Sequence, residues 1–223
     1  MKTIRVRGSD EEIPVGKILC LVRNYSKHAE EMQSEIPEHP VVFFKPATAL
    51  IREGGDIIIP PISREVHHEV ELVVAIAKEG KQIAESNAGE FILGYAVGLD
   101  MTLRDVQNEA KKKGLPWSVA KGFDTSAPVS EIIPASQVKS FPEMEMRCSV
   151  NGTLRQKIRA GSMVFSPEQI ISYCSSLFTL ERGDLIFTGT PEGVGKVQPG
   201  DTIEAELVNF TKINHRVMSA LLT

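Results

Sequence analysis

The chain has 223 residues, of which 42% are apolar and 24% charged, with a net charge of −4; this is ordinary for a globular protein with a substantial core. No apolar run approaches the roughly 18 residues that a membrane span needs, and no basic stripe is present, which argues against a membrane or a nucleic acid as partner. Cys20, Cys148 and Cys174 lie far apart, form no CxxC pair and read as buried thiols of a reducing compartment. With an N-terminus that turns acidic at MKTIRVRGSDEE, the chain reads as cytoplasmic and as one domain over 1–223, of which 1–15 is a small strand and turn segment.

In chain order, 2–6 and 17–22 read as strands and 25–34 (YSKHAEEMQS) as a helix. Short strands follow at 41–44 (VVFF) and 57–59 (III), bounded by Pro and Gly. The β-branched run 70–77 (VELVVAIA) predicts a buried strand, and the apolar run 91–99 (FILGYAVGL) a second one ending at Asp100. Residues 102–113 predict a helix with Thr102 as N-cap and Asp105 at N3, stopped before Pro116. Strands are expected at 145–150, 154–158, 184–188, 202–208 and 212–218, with one helix near 167–178 capped by Ser166 and opened by Pro167. Strands outnumber helices without strict alternation, so the expected class is α+β, a β-rich mixed-sheet roll.

The densest chemistry lies in His67-His68-Glu69-Val70-Glu71. On a strand, Glu69 and Glu71 share a face with His67. Two acids side by side at the entry to a buried strand repel each other and lose solvation; a cation removes both penalties. The bland alternative is a solvated sheet edge. Asp100, at the end of its own apolar strand, is either a third ligand or an acid at a helix N-terminus. Three carboxylates suit a hard cation, Mg²⁺ or Mn²⁺, rather than Zn²⁺, with His67 as an orienting neighbour.

Elsewhere, His28 and Glu31 fall at i,i+3 on the first helix. A carboxylate beside an imidazole suits a general base, and a surface pair is the plain alternative. In Phe187-Thr188-Gly189-Thr190-Pro191-Glu192-Gly193 a strand runs into a glycine-rich turn whose amides could hold a carboxylate, although phosphate-loop spacing is missing. Lys121, before Gly122, is either a substrate clamp or a surface residue.

Taken together, RNYxxHAxE at 23–31, FFKPxTAL at 43–50, HHEVEL at 67–72, GYxxGLDMTxRDxQ at 94–107, KGFDTSAPV at 121–129, VNGxxRQ at 150–156 and FTGTPEGVG at 187–195 resemble the fumarylacetoacetate hydrolase superfamily. The likeness covers nearly the whole chain and is strongest to the short acylpyruvate hydrolases and oxaloacetate decarboxylases. It implies a mixed β-roll, a homodimer, a small 2-oxo acid substrate, and Mg²⁺ or Mn²⁺ on Glu69, Glu71 and Asp100. It implies His28 and Glu31 as a catalytic dyad, Lys121 as the substrate lysine, and substrate contacts at Arg23, Arg104, Gln107, Gly189 and Thr190. The implied reaction breaks a C–C bond, by acylpyruvate hydrolysis or oxaloacetate decarboxylation, through a pyruvate enolate. Isomerase, tautomerase or decarboxylase action on oxaloacetate or on longer unsaturated 2-oxo dicarboxylates is the alternative, with a non-catalytic binder of metal and 2-oxo acid, or a metal-free Cys20 enzyme, further off. One departure stands out: Val22 occupies the place where the family usually has Gly before Arg-Asn-Tyr.

Overall fold

The computed structural model describes residues 1–26 and 37–220. Among them the largest sheet has six strands, in spatial order Ile133–Pro134, Ile92–Leu99, Val70–Ile76, Leu185–Phe187, Lys17–Val22 and Val41–Pro46. All neighbours run antiparallel except Leu185–Phe187 beside Lys17–Val22, which is parallel. A five-stranded sheet takes the order Thr153–Arg159, Glu145–Val150, Thr202–Leu207, Thr211–Ser219 and Ile57–Ile59, and its last pair is parallel. The chain therefore forms the mixed-sheet, strand-rich α+β architecture that the sequence predicts.

Two apolar layers fix the relation of these sheets. One holds Leu19, Leu72, Val74, Val97 and Leu99 from the six-stranded sheet against Met146, Cys148, Ile203, Ala205 and Ile213 from the five-stranded one. The other covers the opposite face of the six-stranded sheet, where Ile18, Cys20, Val73, Ala75, Ala96 and Phe187 meet Leu50, Ala127 and Val129. The N-terminal strands Thr3–Arg5 and Glu12–Pro14 pair with each other and add Ile4 and Ile13 to this second layer. Covered on both faces, the central strand Val70–Ile76 is buried at every position, which is why its sequence shows an unbroken apolar run after Glu71 instead of alternation. Gly98 is required in this packing, because a Cβ there would lie 2.8 Å from both Phe187 and Val73.

The helices correct one expectation and extend another. The helix expected over 102–113 spans Arg104–Lys113, with Leu103 at its N-cap and no side-chain cap. Thr102 and Leu103 instead pair as a short strand with His67 and Val66; tertiary pairing overrides the local capping signal. Asp105 sits in the first turn, and its carboxylate accepts from Ser63 Oγ and the Arg64 amide, tying the preceding loop to the helix. The later helix, Pro167–Leu177, has the expected Ser166 cap and Pro start, completed into a capping box by Gln169. Of the helix expected at 25–34, residues 27–34 lie outside the described residues.

Candidate metal and 2-oxo acid site

The three acids meet because of strand register. Val70 pairs with Leu99 and Glu71 with Gly98, and the Asp100 amide donates to the Glu69 carbonyl at 2.8 Å. Glu69 and Asp100 are therefore directly opposed across the ladder, and Glu71 stands two residues along on the same face, where cross-strand and diagonal side chains reach one another. One ligand oxygen from each of Glu69, Glu71 and Asp100 lies within 4.8 Å of the others, and all three residues are buried.

Cations surround this cluster. Lys121 Nζ lies 2.8 Å from Glu69 Oε2 and 2.5 Å from Asp100 Oδ2. Lys45 Nζ lies 2.8 Å from Asp100 Oδ1 and also donates to Ser126 Oγ and the Lys121 carbonyl. Arg104 Nη2 pairs with Glu69 Oε1, and its Nη1 donates to Gln107 Oε1 at 2.7 Å. Glu71 accepts one backbone donor, the Gly189 amide at 2.7 Å. Burial first, then the charges of Asp100 and Glu69, push the Glu71 carboxyl well above the usual range. Burial opposes the charge on Lys121, but Asp100 and Glu69 outweigh it and hold its pKa above the ordinary lysine value, so the ammonium stays charged at neutral pH. A buried acid that resists ionisation, beside two others facing one point, fits a divalent cation with oxygen ligands.

The glycine-rich turn closes one side. Gly189 adopts φ +96°, and a Cβ there would fall 2.9 Å from Asn24 Cβ. Its amide is turned onto Glu71 at 2.7 Å, so Gly189 positions a candidate ligand acid. Thr190 donates to the Val70 carbonyl and accepts from Gln156 Nε2, both at 2.9 Å, and its side chain borders the cavity. That cavity measures about 100 Å³ and is lined by Arg23, Glu69, Glu71, Asp100, Arg104, Gln107, Lys111, Trp117, Lys121 and Thr190, among others. It holds several waters or a small organic acid. The substitution of Val22 for the family's Gly has a simple resolution: Val22 ends a regular strand opposite Val41, and the left-handed residue is the next one, Arg23, at φ 60°.

The sequence from 17 to 218 matches the model of the fumarylacetoacetate (FAA) hydrolase C-terminal domain. The chain belongs to the fumarylacetoacetate hydrolase family. It is 46% identical over 200 residues to the mitochondrial oxaloacetate tautomerase FAHD1 of Homo sapiens, covering 90% of each chain. It is 47% identical over 195 residues to the mitochondrial oxaloacetate decarboxylase of Dictyostelium discoideum, covering 87% of this chain and 89% of that one. Among solved structures, a fumarylpyruvate hydrolase from Pseudomonas aeruginosa, in complex with Mn²⁺ and pyruvate, superposes with a TM-score of 0.92 at 38% identity, covering 98% of this chain and 96% of that one. The family membership and the strand-rich fold agree with the resemblance drawn from the motifs.

The candidate site of this family member is therefore assembled from residues that the sequence singled out: Glu69, Glu71, Asp100, Arg104, Gln107, Lys121, Thr190 and Arg23 border one cavity. His67 stands beside Arg104, whose Nε reaches its Nδ1 at 3.4 Å, and its Nε2 lies 3.2 Å from Glu65 Oε1. His28 and Glu31 lie outside the described residues. Three residues escaped the sequence reading. Lys45, inside FFKP, resembles any strand lysine until Asp100 is placed against it. Gln156, in VNGxxRQ, accepts from the Val70 amide at 3.0 Å and pairs with His68 Nδ1 while donating to Thr190, so it fastens the acid-bearing strand to the glycine-rich turn. Asn24 donates to the Thr188 and Phe165 carbonyls and accepts from the Phe165 amide, fixing the chain that leads to residue 26. Cys20 is fully buried, and burial, ahead of the nearby Asp100 charge, pushes its thiol well above the usual range, which disfavours the thiolate that a nucleophile needs.

Proposed function

We propose that this protein is a Mg²⁺- or Mn²⁺-dependent enzyme acting on small 2-oxo acids, with oxaloacetate as the principal substrate, enolised or decarboxylated at C3. The observation that carries this reading is the buried cluster Glu69, Glu71 and Asp100 in a cavity that Arg23, Arg104, Lys111 and Lys121 also line. A divalent cation held by these carboxylates supplies Lewis acidity toward the 2-oxo and carboxylate oxygens of the substrate. Lys121, charged and anchored on Glu69 and Asp100, holds its proton and stabilises negative charge that develops on the substrate oxygen beside it. Arg104, fixed by Glu69 and Gln107, orients the part of the substrate beyond C3. Thr190, locked onto Val70 and Gln156, bounds the space for the 2-oxo acid carboxylate. The relatives named as oxaloacetate tautomerase and decarboxylase support this reading.

Hydrolysis of acylpyruvates is a second reading, favoured by the His28 and Glu31 spacing and by the similarity to a fumarylpyruvate hydrolase. In it His28, oriented by Glu31, takes a proton from the attacking water. A homodimer is the proposed assembly, checked by light scattering at twice 24.5 kDa. A reducing compartment, the cytoplasm, suits the three buried free cysteines, while the FAHD1 relatives are named as mitochondrial.

The test follows ultraviolet loss of oxaloacetate and of acetylpyruvate with Mg²⁺, with Mn²⁺ and with EDTA, each against a metal-only control. Protein-dependent loss that EDTA abolishes is expected, and the ratio of the two rates decides between the readings. Loss no faster than the metal-only control with either substrate overturns both.

A further inference from the structure

Helix Arg104–Lys113 carries more than the two residues assigned so far. Arg104, Gln107 and Lys111 fall at i, i+3 and i+7 and share one helical face, and all three line the acid-bearing cavity. Arg104 stands at the acid end, bonded to Glu69. Lys111 stands two turns further along, about 10 Å on at the standard helical rise. Gly114 ends the helix at φ 64°, and the chain returns through Leu115 and Pro116 to set Trp117 beside it. Lys111 Nζ lies 5.1 Å from the centre of the Trp117 ring, within the range in which an aromatic face holds a cation, and Trp117 also lines the cavity.

The neighbouring lysines differ. Lys113 pairs with Glu109 at 2.7 Å and lies outside this cavity. Among the described residues Lys111 has no carboxylate within ion-pair distance, and the charges that act on it are Arg104 first, then Glu69 with the opposite sign, then Lys121 and Arg23. Among the described residues Arg104, Lys111 and Lys121 line the cavity together with three carboxylates, and Lys45 adds another positive charge behind Asp100. A divalent metal ion on the acids would leave these described charges with a net positive balance. A 2-oxo acid with a single carboxylate leaves much of it uncompensated, whereas a diacid compensates more and brings its second carboxylate toward the far end of the helix face.

We propose that Lys111, held over the Trp117 ring, reads the distal carboxylate of a 2-oxo dicarboxylic acid and sets a preference for such diacids over 2-oxo acids that end in an alkyl group. This rests on the 2-oxo acid reading of the site and deepens it by naming a specificity residue. The lysine acts as a mobile point charge, able to meet carboxylates at more than one chain length.

Trp117 is the only tryptophan of the chain, so its fluorescence reports binding at this end of the cavity without turnover. The probes are 2-oxoglutarate and 2-oxopentanoate, which has a methyl where the diacid has its second carboxylate, each titrated into Mg²⁺-loaded protein. The wild-type protein is expected to bind the diacid about tenfold more tightly, the low end for a hydrogen bond between charged groups. Lys111→Met reduces that ratio to about twofold or less, and Lys111→Arg retains most of it, because the contribution is a charge-assisted contact. Lys113→Met, which removes an equal charge from the same helix end, leaves the ratio unchanged and controls for long-range electrostatics. A wild-type ratio near one, or a Lys111→Met ratio equal to the wild-type ratio, overturns the inference alone. Failure of the wild-type protein to bind either acid overturns the 2-oxo acid reading together with it.

Discussion

The two large sheets use charge in opposite ways. In the five-stranded sheet, Glu145–Val150 and Thr202–Leu207 alternate between half-buried and buried positions, so glutamates such as Glu204 and Glu206 keep contact with water on the outer face while Ile203, Ala205 and Leu207 enter the core. In the six-stranded sheet, apolar layers cover both faces of the central strands, and an acid such as Glu71 has no solvated side to turn to. The charges of its neighbours Asp100 and Glu69 are admitted because register sets them against Lys45, Lys121 and Arg104. The first sheet is a scaffold with one wet face. The second spends part of its core on a charged cluster, an arrangement that is costly without tight pairing or a bound cation.

This contrast is broken most directly at Glu71. Glu71→Gln removes one candidate ligand charge while leaving an acceptor for the Gly189 amide, so activity should fall at least about 10³-fold, the equivalent of several kcal/mol of transition-state stabilisation. The thermal midpoint of metal-free protein should hold or rise, because a neutral amide replaces a buried carboxyl whose charged form burial and its acidic neighbours disfavour. A rate assay with Mg²⁺ and a melting curve without it check the two halves, and a large drop in the metal-free midpoint would count against the view that burial disfavours this acid's charge.

Lys45→Met probes the opposite sign. It leaves Asp100 with one cation fewer, and breaking a buried pair costs about 3–5 kcal/mol. Saturating Mg²⁺ should restore much of that loss, since the metal supplies charge to the same carboxylate cluster. Denaturant melts with and without Mg²⁺ measure the recovery; an identical loss in both would make Lys45 a packing residue only.

Ile203→Ala, in the scaffold sheet, should lower stability by about 2–5 kcal/mol by leaving a cavity in the shared apolar layer, with Mg²⁺ affinity unchanged. Coupled loss of metal binding would show that the two sheets are not the separate devices described above.

The smallest effect concerns pH. Burial holds the His215 pKa below its ordinary value. The unfolded chain therefore binds more protons than the folded one once pH drops through the usual histidine range near 6.5, and stability falls on acidification. His68 is depressed in the same direction, again chiefly by burial. His215→Leu should flatten the decline in melting temperature between pH 7.5 and 5.5 relative to wild type, and an unchanged slope would rule out His215 as a contributor.

Legibility followed the physics of each region. The half-wet strands were readable because alternation records which face meets water, and Ser166 with Pro167 was readable because capping is local. The short strands Thr102–Leu103 and Gly195–Val197 went unseen, since two or three residues carry no period and they form by pairing with Val66–His68. Thr102 misled for that reason: it has the chemistry of an N-cap, but its backbone is taken up by His67. Lys45 and Gln156 stood inside recognisable motifs and still gave no sign of their roles, because lysine in a strand and glutamine after an arginine are common on any surface.

By itself, the sequence determined the strand-rich class, the family resemblance and the identity of the acids Glu69, Glu71 and Asp100, because residue type, periodicity and motif order are properties of the chain. The tertiary structure alone decided that Glu69 stands opposite Asp100, that Lys45 lies behind them, that Gly189 spends its amide on Glu71, and that Lys111 shares a wall with Trp117. Each of these is a contact between segments whose register and packing are set by the collapse of whole sheets, and a shift of one residue in any strand would turn the side chains concerned to the other face.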